Sequence, residues 1–182
     1  MHLIYGSHER GIGIYNIENN VFILSVPRVA SDTLRYIANN SDIWIHENVF
    51  NVVDEVSTIV VMLRDPYDRF LSALNMRIFT KNHNTFFINQ LFDKCDLHFL
   101  NQYAYMDHVQ RTLSNKIAYF YFNDAVFAEI AEVYNLNELV DAPRLNTSKK
   151  FIYHVDKHKI KEMYKQDYNL IHSVNFKNRG PQ

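Results

Sequence analysis

Thr58-Ile59-Val60-Val61-Met62-Leu63, running directly into Arg64-Asp65-Pro66-Tyr67-Asp68-Arg69-Phe70-Leu71-Ser72-Ala73-Leu74, is the stretch from which the fold is read. Five apolar residues after Thr58, mostly β-branched or bulky, are too few for a core helix and suit a strand buried on both faces. Pro66 then fits the first turn of a helix, where a missing N–H costs nothing. Phe70, Leu71, Leu74 and Ile78 fall at helical spacing, which predicts a helix over Tyr67 to Ile78. Strand, loop, helix is the unit. It recurs upstream, where Val21 to Val26 (VFILSV) stops at Pro27, passes through a polar turn and enters a predicted helix over Thr33 to Ala38. Asp42 to His46 (DIWIH) and Lys116 to Phe122 (KIAYFYF) read as further strands, the latter leading into a helix over Ala125 to Tyr134. Phe99 to Leu113 carries Phe99, Tyr103, Met106, Val109 and Leu113 on one helical face, and Lys157 to Tyr168 reads as a last helix. Apolar strands alternating with helices predict an α/β fold with a mostly parallel sheet covered on both faces.

The 182 residues, 47% hydrophobic and 14% aromatic, are enough for one well-buried core and too few for two ordinary domains, so residues 1–182 are read as a single domain. A formal charge of −1 argues against a partner that is a nucleic acid, because the long-range positive field for a phosphate backbone is missing. Any phosphate binding has to be local. The single cysteine, Cys95, excludes an internal disulfide, and the start of the chain has no leader-like apolar run. No stretch reaches the roughly 18 to 20 apolar residues of a membrane span. A soluble, cytoplasmic protein with no membrane partner is the expectation. The four glycines, at positions 6, 11, 13 and 180, do not allow either the Gly-rich loop ending in Gly-Lys-Ser/Thr or the dinucleotide fingerprint to be written, which disfavours a standard ATPase or dehydrogenase.

In open α/β sheets, ligands sit beyond the carboxyl ends of the strands, which directs attention to the loops after residues 21–26 and 58–63. The first reads Ser25-Val26-Pro27-Arg28-Val29-Ala30-Ser31-Asp32-Thr33-Leu34: a cation, small residues and hydroxyls ahead of a helix whose free N–H groups suit an anion. In the second, Arg64 stands at the strand end and Ser72 two helical turns later.

These two loops resemble those of the sulfotransferases that use 3'-phosphoadenosine-5'-phosphosulfate (PAPS), especially the carbohydrate-modifying branch. Arg64-Asp65-Pro66-x-x-Arg69-x-x-Ser72 is similar to that family's 3'-phosphate motif, which implies that Arg64 and Ser72 hold the 3'-phosphate and that Arg69 braces the loop. The first loop is similar to the family's 5'-phosphosulfate loop, which implies donor contacts from Arg28, Ser31, Asp32, Thr33 and Leu34. Two departures stand out. Arg28 replaces the usual lysine, exchanging a point charge for a planar fork. Asp32 stands where a hydroxyl is expected, and two readings are open: it faces the donor and repels it, or it is the N-cap of the following helix. Weaker likenesses continue through Asp96-x-His98-Phe99-x-x-Gln102, Phe120 to Asp124, and Arg144-Leu145-Asn146-Thr147-Ser148, to which no catalytic role is given.

The resemblance implies a P-loop-like sulfotransferase fold, PAPS as donor, 3'-phosphoadenosine 5'-phosphate (PAP) as product, no metal, and a small-molecule or carbohydrate acceptor offering a hydroxyl or amine. Arg28 would stabilise the leaving group. His46, at the end of a predicted strand between the two loops in sequence, is the candidate base, with Glu47 and His98 as rivals. The alternatives are a catalytically silent nucleotide-binding or interaction module on the same fold, and an ATP-dependent kinase. His154 and His158 have the i, i+4 spacing of a metal pair without a third ligand, and Lys157, Lys159, Lys161 and Lys165 alternate with Asp156, Glu162 and Asp167 as on a solvated face.

Overall fold

The apolar runs become the inner strands of a single five-stranded sheet. The computed structural model describes residues 11–81, 99–143 and 155–178. Its strands are β1 (Ile12–Asn16), β2 (Val21–Leu24), β3 (Trp44–Asn48), β4 (Thr58–Leu63) and β5 (Ile117–Tyr121), in the order β3-β1-β2-β4-β5. β2 is buried along its whole length and β4 everywhere but its first residue, so both faces of the central strands are covered. Burial of β5 alternates, with Ala118 and Phe120 in the core, and β3 is largely exposed beyond Trp44. Those two patterns mark the edges of the sheet.

The architecture is mixed α/β, a central sheet flanked by helices, but the sheet itself is mixed. β2 with β4 and β4 with β5 pair in parallel, whereas β1 pairs antiparallel with both β2 and β3. This corrects the mostly parallel sheet expected from sequence, and the reason is β1. Its run Ile12-Gly13-Ile14-Tyr15-Asn16 was not recognised as a strand, because a glycine inside a strand weakens the pattern. The glycine has a packing reason. A Cβ at position 13 would collide with the Ile23 carbonyl oxygen and the Phe22 ring on the neighbouring strand. A four-residue connection joins β1 to β2, with the Asn16 side chain accepting from the amides of Glu18 and Asn19 and Asn20 left-handed at φ 57°.

Among the described residues the α-helices are α1 (Ser31–Asn39), α2 (Pro66–Lys81), α3 (Gln102–Leu113), α4 (Val126–Tyr134), α5 (Lys157–Met163) and α6 (Lys165–Ser173). The last helix expected from sequence is two, divided at Tyr164. Tyr105, Met106, Val109 and Leu113 of α3 enter the main core. A second cluster, Phe70 and Leu74 of α2 with Ile160 and Tyr164, fixes α2 against the C-terminal helices. Past α6, Phe176 bridges Tyr119, and the Asn178 amide both accepts from the Tyr121 N–H and donates to its carbonyl, at 2.7 and 2.9 Å, which closes this edge of β5. No helix among the described residues is long and apolar enough to cross a membrane.

Gly13→Ala should push β1 from β2 and destabilise the protein by about 1–3 kcal/mol, as overpacking of a tight core contact does. The check is a urea titration, in which the midpoint falls while the slope stays that of the parent.

Candidate functional site: an arginine cluster at the ends of β2 and β4

β2 and β4 are parallel neighbours, so the loops that follow them emerge side by side at the same edge of the sheet. The first loop is a tight turn, Val26-Pro27-Arg28-Val29, closed by the Val29 N–H on the Val26 carbonyl at 2.9 Å. Proline supplies the first central position, and Arg28 takes the second with φ 65°, a left-handed conformation normally left to glycine or asparagine. Ala30 is also left-handed, at φ 59°, and is the N-cap of α1. Two such residues cost on the order of 1–3 kcal/mol each. Fully buried Val26 and Val29 hold the turn in place.

The strained turn aims Arg28 across to the second loop. Its Nη2 donates to Ser72 Oγ on α2 at 3.1 Å, and its carbonyl accepts from Arg64 Nη1 at 3.2 Å. Arg69 donates from Nη1 to the Pro27 carbonyl at 3.3 Å. Three guanidinium groups therefore converge on one turn. Burial, first of all, holds each below the usual arginine range. Arg69 adds repulsion at Arg28, and both Arg28 and Arg69 add it at Arg64. Carboxylates offset this from outside: Asp32 beside Arg28, Asp68 and Asp65 beside Arg64, Asp167 beside Arg69. Asp65 is also the cap of α2, its Oδ1 accepting from the amides of Tyr67 and Asp68 at 2.9 and 3.0 Å. Arg28 Nε is buried and has no hydrogen-bond partner among the described residues. The Ser72 hydroxyl, having accepted from Arg28, keeps its own proton to donate. The N-cap of α1, Ala30, has no side-chain oxygen with which to cap the helix. Chemically, the arrangement gathers three partly or fully buried guanidinium groups and a serine hydroxyl around one turn.

Arg28, Arg64 and Ser72 are thus brought together, and half-buried Ser31 opens α1 three residues after Arg28. Other expected residues are placed elsewhere. Leu34 is 1% exposed in the core and its amide bonds the Ala30 carbonyl, so it has nothing to offer a ligand. The Thr33 hydroxyl donates to the Pro143 carbonyl at 3.1 Å and acts as a tether. Asp32 is not the N-cap; it lies within the first turn and pairs with Arg35 at 3.3 Å. His46 lies exposed on β3, its Nε2 3.3 Å from Asn39 Oδ1 at the far end of α1. Nine residues of helix, about 13 Å, and strand β1 stand between it and the arginines. Glu47 accepts from the Asn48 amide and from Asn51, both at 2.7 Å. Cys95, Asp96, His98, the Arg144 to Ser148 segment and His154 lie outside the described residues.

Residues to which the sequence gives no site role complete the surroundings. Phe122 lies under the Arg64 guanidinium, 5.5 Å from ring centroid to Cζ. Gln102 holds the Arg64 backbone, donating to its carbonyl at 2.7 Å and accepting from its N–H at 2.9 Å. Asp167 was read as one charge of a solvated face and is instead 0% exposed, accepting from the amides of Gln102 and Tyr103, both at 2.9 Å. A helical wheel of α6 would have found it, since Asp167, Leu170 and Ile171 share one face and all are buried. Fold and site together define a mixed α/β domain with an arginine cluster at the ends of two parallel strands. Compared with family models, curated proteins and solved structures, the chain matches none.

Asp32→Ser should tighten binding of inorganic pyrophosphate, because a carboxylate beside Arg28 is removed, and should change stability by less than about 1 kcal/mol, because the Arg35 pair is exposed. Calorimetry and thermal unfolding give both numbers, and an unchanged affinity would mean that Asp32 faces away from the anion.

Proposed function

We propose that the chain transfers a sulfuryl group from PAPS to an acceptor hydroxyl or amine, a saccharide or another small molecule, on a sulfotransferase-type fold. The observation that carries this reading is the meeting of Arg28, Arg64 and Ser72 at the carboxyl ends of two adjacent parallel strands. A donor with phosphate at both ends of a nucleoside suits two loops that each present an arginine and share a serine. In this reading Arg64 and Ser72 hold the 3'-phosphate. Arg28, Ser31 and the N–H groups opening α1 hold the 5'-phosphosulfate and stabilise the charge that builds on the leaving phosphate. The acceptor's lone pair forms the new bond to sulfur, the acceptor's proton passes to solvent water, the bond from sulfur to the phosphate oxygen breaks, and PAP departs. Proton removal is not assigned to His46, whose ring is held beside Asn39. No metal enters this mechanism.

A second reading has its own support. Asp32 beside Arg28, with His46 a helix length away, also suits a module that binds the nucleotide without turning it over. Turnover of labelled PAPS separates the two, and a preference for ATP would favour a kinase instead.

PAP should bind about tenfold or more tightly than AMP, since charge-assisted hydrogen bonds to the 3'-phosphate contribute roughly 1.5 to 3 kcal/mol. Arg64→Ala should remove that preference while leaving AMP affinity near the parent's. Equal affinity of the parent for the two nucleotides, measured by calorimetry, would overturn the reading.

A further inference from the structure

Arg64 stands one residue past β4 and two before Pro66, so neither strand nor helix fixes its backbone. A single buried side chain does so. Gln102, 0% exposed at the start of α3, pairs with both polar groups of the Arg64 peptide, as a neighbouring strand would. Gln102 is itself held, because buried Asp167 accepts from its amide and from that of Tyr103. Asp167 attracts Arg69, Arg69 donates to the Pro27 carbonyl, and Arg64 donates to the carbonyl of Arg28, the next residue. These links form a ring, from the first loop through Arg69, Asp167, Gln102 and Arg64 back to the first loop, hydrogen-bonded throughout except between Arg69 and Asp167, where charge attraction closes it. Every polar link but the Arg64 to Arg28 one runs through a group that is 1% exposed or less, or to the backbone such a group holds.

From this ring we infer that Gln102 is a positioning residue: it sets the aim of the Arg64 guanidinium at an incoming phosphate and couples that aim, through Asp167, to the loop that carries Arg28. An amide that both donates and accepts is required for the task, since the Arg64 N–H and carbonyl point to one side chain. Arg64 is otherwise free to swing about its backbone, because its remaining supports are a ring face and one carbonyl. Recognition of an anion by a guanidinium tolerates about 0.5 Å of displacement before affinity falls. The inference rests on the nucleotide reading above, and its experiment separates the two.

The full chain would be titrated calorimetrically with PAP and with AMP, as the parent, Gln102→Met, Arg64→Ala and the double variant. Gln102→Met is expected to weaken PAP about tenfold, to leave AMP within about twofold, and to add nothing once Arg64 is alanine. A residue that served the fold alone would weaken both nucleotides alike and would keep its effect in the Arg64→Ala background. Gln102→Asn retains the amide but loses reach, and the same selective loss is expected of it, which keeps the test open if the methionine variant does not fold. A PAP preference that survives in the folded Gln102 variants overturns the positioning role and spares the nucleotide reading. A parent without that preference overturns both.

Discussion

Arg69 is a guanidinium taken almost wholly out of water, at 1% exposure, and the arrangement of the loops follows from what has to surround it. An isolated charge in such a place would cost several kcal/mol, so its neighbours must be polar, negatively charged or aromatic. Here they are the Pro27 carbonyl, the Tyr164 ring at 5.8 Å, and the attraction of Asp167. Each neighbour belongs to a different part of the chain: the first loop, the junction of α5 and α6, and α6 itself. One side chain on α2 therefore ties the strand-end loop to the C-terminal helices. Tyr164 is bound in turn, its hydroxyl donating to the Phe99 carbonyl at 2.7 Å and pushed by burial up to about 12.

That anchoring explains how the first loop can hold two left-handed residues without glycine. A turn with Arg28 and Ala30 at positive φ stays folded only if the rest of the protein over-determines it. Val26 and Val29 fix it from below, Arg69 and Arg64 fix two successive carbonyls from the side, and α1 begins directly after it. Glycine at either position would relieve the strain and enlarge the unfolded ensemble. An arginine held in that conformation is aimed more narrowly than one on a relaxed loop, which is why Arg28 reaches Ser72, 44 residues away in sequence.

The sequence patterns that were legible are those where burial on both faces or one helical stripe leaves a local mark. β2, β4 and β5 and the helices after them could be read within a few residues, because their apolar runs are continuous and bounded by Pro27, Pro66 and polar turns. β1 could not, since Gly13 is there for a contact across the sheet that has no trace in its neighbours. With β1 missing, the place of β3 was missed too, and with it the distance of His46: two strands close in sequence are parted in the sheet by one that precedes both. Arg28, Arg64 and Ser72 were legible because each stands at a fixed offset from a strand end. Gln102 and Asp167 act over separations of 38 and 65 residues, a kind of pairing that periodicity does not record.

A net charge of −1 and a site built from three arginines are compatible because the carboxylates are arranged by direction rather than number. Asp65 turns back to cap α2, Asp167 faces the amides of α3, and Asp32 pairs with Arg35. They lower the repulsion among the guanidinium groups. Arg28 Nε remains buried without a partner among the described residues, and a buried donor left so costs about 1–3 kcal/mol. A ligand oxygen there would return that energy at binding. On the proposed nucleotide reading, binding would draw on a local deficit of acceptors in a protein whose overall field would repel an anion weakly, so its salt dependence should be that of a short-range, desolvated contact rather than of long-range attraction.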